Sequence, residues 1–208
     1  MLGDLFSWLE GLSGNTWFLG VILIIAILDS VIPVVPSESM VIIGGVSAGL
    51  GDQNIVLVIV VAMIGAFVGD NMAYQLGHSA GPLLKRFFFR GAKGEKRLAW
   101  AEQQLRTRGG MLLITARFVP GGRTAITTTS GLTAQPRRRF VLFVGIASVI
   151  WATYAALLGF IGGKTFADNH TLAFLMAFGA ALSVTVLIEV VRKVRHRDGK
   201  AGATAAAP

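Results

Sequence analysis

Arg117-Phe118-Val119-Pro120-Gly121-Gly122-Arg123 sits at the centre of an apolar run, residues 111 to 134, where a membrane helix would be smooth. The arms on either side of Pro120-Gly121-Gly122 are about ten residues each, too short to cross a bilayer separately at about 1.5 Å per residue. Both flanks of the run are basic, Lys85 to Arg108 before it and Arg137 to Arg139 after it. Positive charge stays on the cytoplasmic side, so a single crossing would strand one of these clusters outside. A re-entrant hairpin that enters and leaves on the cytoplasmic face satisfies both constraints.

The rest of the chain fits that reading. Of 208 residues, 53% are hydrophobic and only 14% are charged, which is the composition of an integral membrane protein. The net charge of +8 comes from clusters beside apolar spans, the positive-inside pattern rather than a nucleic-acid surface. The first 84 residues hold no Lys or Arg, so the N-terminus lacks the basic region of a secretory signal. Leu2, Leu5, Phe6, Leu9 and Leu12 recur at helical spacing, which predicts an interfacial helix within residues 1–16. There is no cysteine, and His78, His170 and His196 lie far apart, so neither a metal site nor another cofactor is expected.

The remaining apolar runs cover about 17–50, 54–78, 140–163 and 171–191. The last three read as spans, and the basic stretch after Arg192 puts the C-terminus in the cytoplasm. The run 17–50 is too long for one span and is broken by Pro33 and Pro36, which predicts a second re-entrant hairpin, entering from outside. The expected fold is an all-α integral membrane protein: an inverted repeat of re-entrant hairpin plus transmembrane helix, a further C-terminal transmembrane helix and amphipathic surface helices. Residues 17–191 form one transmembrane domain and 192–208 a basic, disordered cytoplasmic tail. In the connector, Leu98, Ala101 and Leu105 alternate with Lys96, Arg97 and Arg106, which predicts a surface helix touching anionic lipid.

Several stretches resemble the DedA family, also called the SNARE-associated or VTT-domain family. Pro36-Ser37-Glu38 is similar to its first hairpin motif, with Asp29 at the upstream acidic position. Gly69-Asp70-Asn71-Met72-Ala73-Tyr74-Gln75-Leu76-Gly77 resembles its Gly-Asp-x-x-x-Tyr-x-x-Gly segment, and Gly110 through Gly131, with Arg117, Pro120, Arg123 and Thr124, is similar to its most diagnostic stretch. The resemblance implies two opposed re-entrant hairpins and a role in lipid translocation, notably of polyprenyl-phosphate carriers. It also implies that Arg117 and Arg123 are functional and that Asp29 and Glu38 fill the family's acidic positions.

Side-chain chemistry leads the same way. An ionised group in hydrocarbon costs several kcal/mol, so it persists where it is paired, hydrated or used. Arg117 and Arg123 offer guanidinium forks, Gly121 and Gly122 leave backbone N–H groups accessible, and Thr124 begins a half-helix; together these suit a phosphate. Glu38 and Asp29 are expected either as counter-ions to the arginines or as proton carriers. Asp70, Tyr74, Thr127 and Thr128 fit both a polar pathway and local hydrogen-bonded packing. Gly65, Gly69, Ala73, Gly77 and Gly81 recur every four residues, a stripe suited to close helix packing.

The functional expectation is a non-enzymatic translocase of the cytoplasmic membrane that moves a polyprenyl phosphate, such as undecaprenyl phosphate, or a related anionic lipid, with protons as a coupling ion. Membrane lipids and protons are the expected partners, and nucleic acid is not one. A proton-coupled small-ion or drug transporter would use the same charges. A lipid pyrophosphate phosphatase is the third reading, disfavoured because neither histidine nor paired glutamates accompany the arginines.

Overall fold

The computed structural model describes residues 15–32, 37–81, 83, 91–118, 122–165 and 179. Most of the expected interfacial helix, the expected span at 171–191 apart from Gly179, the tail 192–208 and Gly121 lie outside these residues. The described residues form helices α1 (Trp17–Val31), α2 (Ser37–Leu50), α3 (Ile55–Ser79), α4 (Gly91–Thr115), a 3-10 turn (Ala116–Phe118), α5 (Gly122–Leu132) and α6 (Arg137–Thr165), with no strand among them. The architecture is therefore all-α. Helices α3 and α6, of 25 and 29 residues, are long and apolar enough to cross a membrane, whereas α1 and α2 are shorter.

Each apolar run with a proline break divides there. Val31 ends α1 and Ser37 opens α2; Phe118 ends the 3-10 turn and Gly122 opens α5. Proline lacks an N–H and disfavours helix in the residue before it, which accounts for both interruptions. One boundary differs from expectation. The surface helix of the connector and the first arm of the second hairpin are a single helix, α4, which runs through Gly109-Gly110. A methyl on Gly110 would collide with the Phe143 ring, so this glycine serves the packing of α4 on α6 and not a turn.

The packing has a two-fold pattern. Helix α2 packs along α6 and α5 packs along α3, so the short helix after each break lies on the long helix of the other half. Glycines make both approaches possible in a reciprocal way. A Cβ on Gly45 would overlap the Ala156 carbonyl and one on Gly159 the Ile42 carbonyl; a Cβ on Gly77 would overlap the Thr128 carbonyl and one on Gly131 the Tyr74 carbonyl. Small residues let backbones meet where hydrocarbon gives no hydrophobic drive for helix association. Gly65 and Gly69 of the stripe serve α1 in the same fashion, with Cβ positions 2.8 Å from the Leu23 oxygen and 2.7 Å from the Ile27 oxygen.

The two short helices also end alike. After α2, Gly51 N–H bonds to Ala48 O and Asp52 N–H to Ser47 O; after α5, Ala134 N–H bonds to Gly131 O and Gln135 N–H to Ser130 O. Both are Schellman closures, which require a left-handed residue. Gly51 meets that requirement at φ 99°, but the second half places Ala134 there at φ 49°.

Two buried apolar clusters lie at opposite ends of the long helices. One joins Phe18, Ile22, Val41, Ile42, Val58 and Trp151; the other joins Tyr74, Leu113, Phe140 and Val144. The outward faces carry Val60, Ile64, Val68, Met72 and Leu76 on α3, and Leu142, Ile146, Ile150, Leu157 and Ile161 on α6. Large apolar side chains on the outer faces, with Gly and Ala at the closest helix contacts, is the distribution expected of helices solvated by lipid.

Two outcomes follow from the glycine contacts and the αL alanine. Gly131→Val should prevent recovery of folded protein from detergent, whereas Gly20→Ala, with nothing within 4 Å of its Cβ position, should leave the unfolding temperature unchanged or slightly raised. Ala134→Gly should stabilise the chain by about 0.5–1 kcal/mol by removing the left-handed penalty, read as a rise in unfolding temperature.

Candidate functional site

The ends of α1 and α5, the 3-10 turn and the middles of α3 and α6 deliver charged and hydroxyl side chains to one place. Asp70, on α3 between the two apolar clusters, is fully buried. Its Oδ2 accepts from Arg117 Nη1 at 2.7 Å and its Oδ1 from Arg123 Nε at 2.6 Å. Arg123 also donates from Nη1 to Asp29 Oδ2 at 3.1 Å, from Nη2 to the Ala66 carbonyl at 3.1 Å and from Nη2 to Ser30 Oγ. Arg117 donates from Nη2 to Ser148 Oγ at 3.3 Å. Below both guanidinium groups lies the Trp151 ring, its centroid 5.4 Å from the Arg117 and 5.8 Å from the Arg123 central carbon, near enough for cation–π attraction.

The local folding explains why these residues meet. Asp29 and Ser30 occupy the last turn of α1 before the Pro33/Pro36 break, and Arg123 the first turn of α5 after the Pro120 break. A cation at a helix N-terminus opposes the helix dipole; Asp70 and Asp29 offset that cost. Asp29 Oδ2 accepts in addition from Ser37 Oγ at 2.6 Å, so this carboxylate bridges the two arms of the first break and ties them to the second. With Asp29 and Asp70 ionised, two carboxylates balance two guanidinium groups and the cluster is neutral.

The Asp29 side chain is 22% exposed, while those of Asp70, Arg117 and Arg123 are at 0%, 3% and 9%. Asp29 is thus the member of the cluster with access to its surroundings. Arg117 Nε, by contrast, is buried without a hydrogen-bond acceptor among the described residues, a condition that costs about 1–3 kcal/mol for a buried donor.

The other residues singled out from sequence fall as follows. Glu38 lies apart from the arginines: its Oε1 accepts from Tyr154 Oη of α6 at 3.2 Å, and no ion pair to it is present among the described residues. Tyr74 donates to the Gln135 carbonyl at 2.7 Å, packs at a tilt against Phe140 and lies under Arg137, which makes it a link between α3 and the loop into α6. Thr127 Oγ1 bonds back to the Arg123 and Thr124 carbonyls, and the Thr128 carbonyl is the one that Gly77 admits. Gly122 opens α5. Sequence reasoning did not single out Ser30, Ser148, Trp151 or Tyr154. A lone serine or tyrosine within an apolar run is a weak signal, since its hydroxyl can bond to the preceding turn, as Ser30 also does to Ala26.

Paired arginines and carboxylates buried at the breaks of apolar helices define a polytopic helical membrane protein with an internal polar site, not a soluble bundle. Comparison with known proteins is specific. The VTT domain matches residues 35–161, and the chain belongs to that family, the DedA family. An uncharacterized membrane protein of Haemophilus influenzae is 34% identical over 141 residues, 66% of each chain. Protein DedA of Escherichia coli strain K12 is 27% identical over 91% of this chain and 88% of its own length. Undecaprenyl phosphate transporter A of Bacillus subtilis is 21% identical over 95% of this chain and 96% of its own. No solved structure matches.

The cluster predicts an order of stability effects. Asp70→Asn leaves two buried guanidinium groups under-compensated and should cost about 3–5 kcal/mol. Glu38→Gln retains an acceptor for Tyr154 and should cost under about 1 kcal/mol. Denaturation of the two variants in one detergent measures the difference.

Proposed function

We propose that this protein is a lipid-phosphate translocase: it carries a polyprenyl phosphate, undecaprenyl phosphate or a close relative, between leaflets of the cytoplasmic membrane. The observation that carries the reading is the convergence of Arg117, Arg123, Asp29 and Asp70, from both helix breaks and the long helix between them, into one buried cluster. The name of the Bacillus subtilis relative supports the substrate class.

In this reading the breaks at 32–36 and 119–121 are the tips of re-entrant hairpins, 17–50 from outside and 111–134 from the cytoplasm, within a single domain spanning 17–191. The cytoplasmic C-terminus follows from the basic residues after Arg192. Depth supports a midplane site: Ser148 is eleven residues from Arg137, about 16 Å along α6, and Asp70 nine from Ser79, about 14 Å along α3, each near half of a hydrocarbon core of about 30 Å. The reciprocal packing of α2 on α6 and α5 on α3 supports two halves that rock against each other, exposing the site to one leaflet and then the other.

The neutral cluster sets the chemistry. A phosphate brought to the guanidinium groups adds negative charge beside Asp29 and Asp70, and Asp29, partly exposed and shared with Ser37, is the carboxylate that can leave or take up a proton to accommodate it. Glu38 with Tyr154 is a second proton-bearing position along the same path. Both oxygens of Asp70 are committed to the arginines, and neither a histidine nor a paired glutamate accompanies the cluster among the described residues, so transport is preferred to hydrolysis.

Reconstituted in vesicles with undecaprenyl phosphate in one leaflet, the wild-type chain should equilibrate the lipid, and Arg117→Ala should abolish this while still inserting. Full translocation by Arg117→Ala would contradict the site, and release of inorganic phosphate from undecaprenyl pyrophosphate would revive the hydrolase.

A further inference from the structure

The two arginines are chemically similar but differently occupied. Arg123 is spent on the protein: Nε on Asp70, Nη1 on Asp29, and Nη2 on both Ser30 Oγ and the Ala66 carbonyl. These acceptors belong to α1 and α3, so Arg123 fastens α5 to both helices. Among the described residues Arg117 has two acceptors, Asp70 Oδ2 and Ser148 Oγ. Its Nε meets no acceptor among the described residues although the side chain is only 3% exposed. Of its five N–H groups, two meet an acceptor among the described residues.

We propose that the pair divides the work: Arg117 is the residue that holds the phosphate, and Arg123 with Asp70 is a fixed strut that positions it. The anion's identity rests on the lipid-phosphate reading above; the strut does not. Arg117 Nε and the second N–H of an adjacent Nη form the fork that takes a phosphate oxygen pair. Asp70 holds the other edge of the same guanidinium and so fixes the direction of the fork. The Trp151 ring lies 5.4 Å from the Arg117 and 5.8 Å from the Arg123 central carbon, so it supports both cations from one side without supplying a hydrogen-bond acceptor. The structure supplies no equivalent edge on Arg123, where Nε and both terminal nitrogens already meet oxygen.

The division makes two readouts move in opposite directions. The full chain in neutral-lipid nanodiscs is titrated with undecaprenyl phosphate and, separately, with inorganic phosphate, and its unfolding temperature is recorded without either. Arg117→Gln should unfold within about 2 °C of the wild type, because Asp70 keeps Arg123, yet bind undecaprenyl phosphate about 10- to 100-fold more weakly. Arg123→Gln should unfold roughly 5 to 15 °C lower. If that variant does not survive purification, Arg123→Lys keeps the charge beside Asp70; it should unfold below the wild type yet retain binding within about threefold. Inorganic phosphate competing with the lipid would assign the site to the phosphate group itself; failure to compete would assign it to the phosphate together with its chain, and either supports Arg117 as the holder when Arg117→Gln is blind to the lipid. Equal destabilisation by Arg117→Gln and Arg123→Gln, or greater loss of binding in Arg123→Lys than in Arg117→Gln, would overturn the division while leaving the lipid reading intact. A wild-type chain that binds neither probe would overturn the lipid reading and the role given to Arg117 together.

Discussion

The structure depends on one buried carboxylate shared by two arginines. Asp70 reaches Arg117 with one oxygen and Arg123 with the other, and neither guanidinium could remain in an apolar interior without it. Because Arg117 and Arg123 flank the second break and Asp29 precedes the first, this pairing joins four chain segments that hydrophobic contact alone would leave free to slide. Burial of charge is a poor route to stability but an effective means of fixing register. Here it fixes where two interrupted helices stop relative to two continuous ones.

Around that cluster the protein is built on backbone proximity. Gly45 and Gly159 at one interface, and Gly77 and Gly131 at the other, bring helices so close that a methyl group would strike a carbonyl. Large apolar side chains cover the outer faces and fill the two clusters at the ends of the long helices. Between the clusters, polar groups of several helices converge: the Ala66 carbonyl and the Ser30 and Ser148 hydroxyls all touch an arginine.

Much of this was legible in the chain. Proline within an apolar run marks a break whatever the tertiary context, so the boundaries near 32–36 and 119–121 could be read directly, as could the long helices α3 and α6. The arginines stood out because a charge beside a break inside an apolar run is too costly to persist unless a partner or a ligand meets it. What sequence could not supply was which arm faces which. Glu38, expected beside the arginines with Asp29, is one arm further on and meets Tyr154, while Asp70, equally suited to packing, proved to be the central counter-ion. Periodicity shows that Asp70 shares a face with glycines but not that two cations arrive there from residues about 50 positions away. Ser148 and Trp151 were silent for the same reason: within 140–163 they read as ordinary members of a span. The run 111–134 was read apart from the connector before it, yet α4 is continuous across Gly109-Gly110, and the Phe143 ring, distant in sequence, is what accounts for Gly110.

The central claim is that this neutral cluster receives an anionic phosphate at the cost of an internal carboxylate. The affinity of nanodisc-embedded protein for undecaprenyl phosphate, measured for the wild type and for Asp29→Asn, tests it most directly. Removing the partly exposed counter-ion leaves the cluster with one net positive charge, and the account predicts binding tighter by about tenfold or more. Unchanged or weaker binding by Asp29→Asn would show that Asp29 does not compete with the phosphate, and the account would fail.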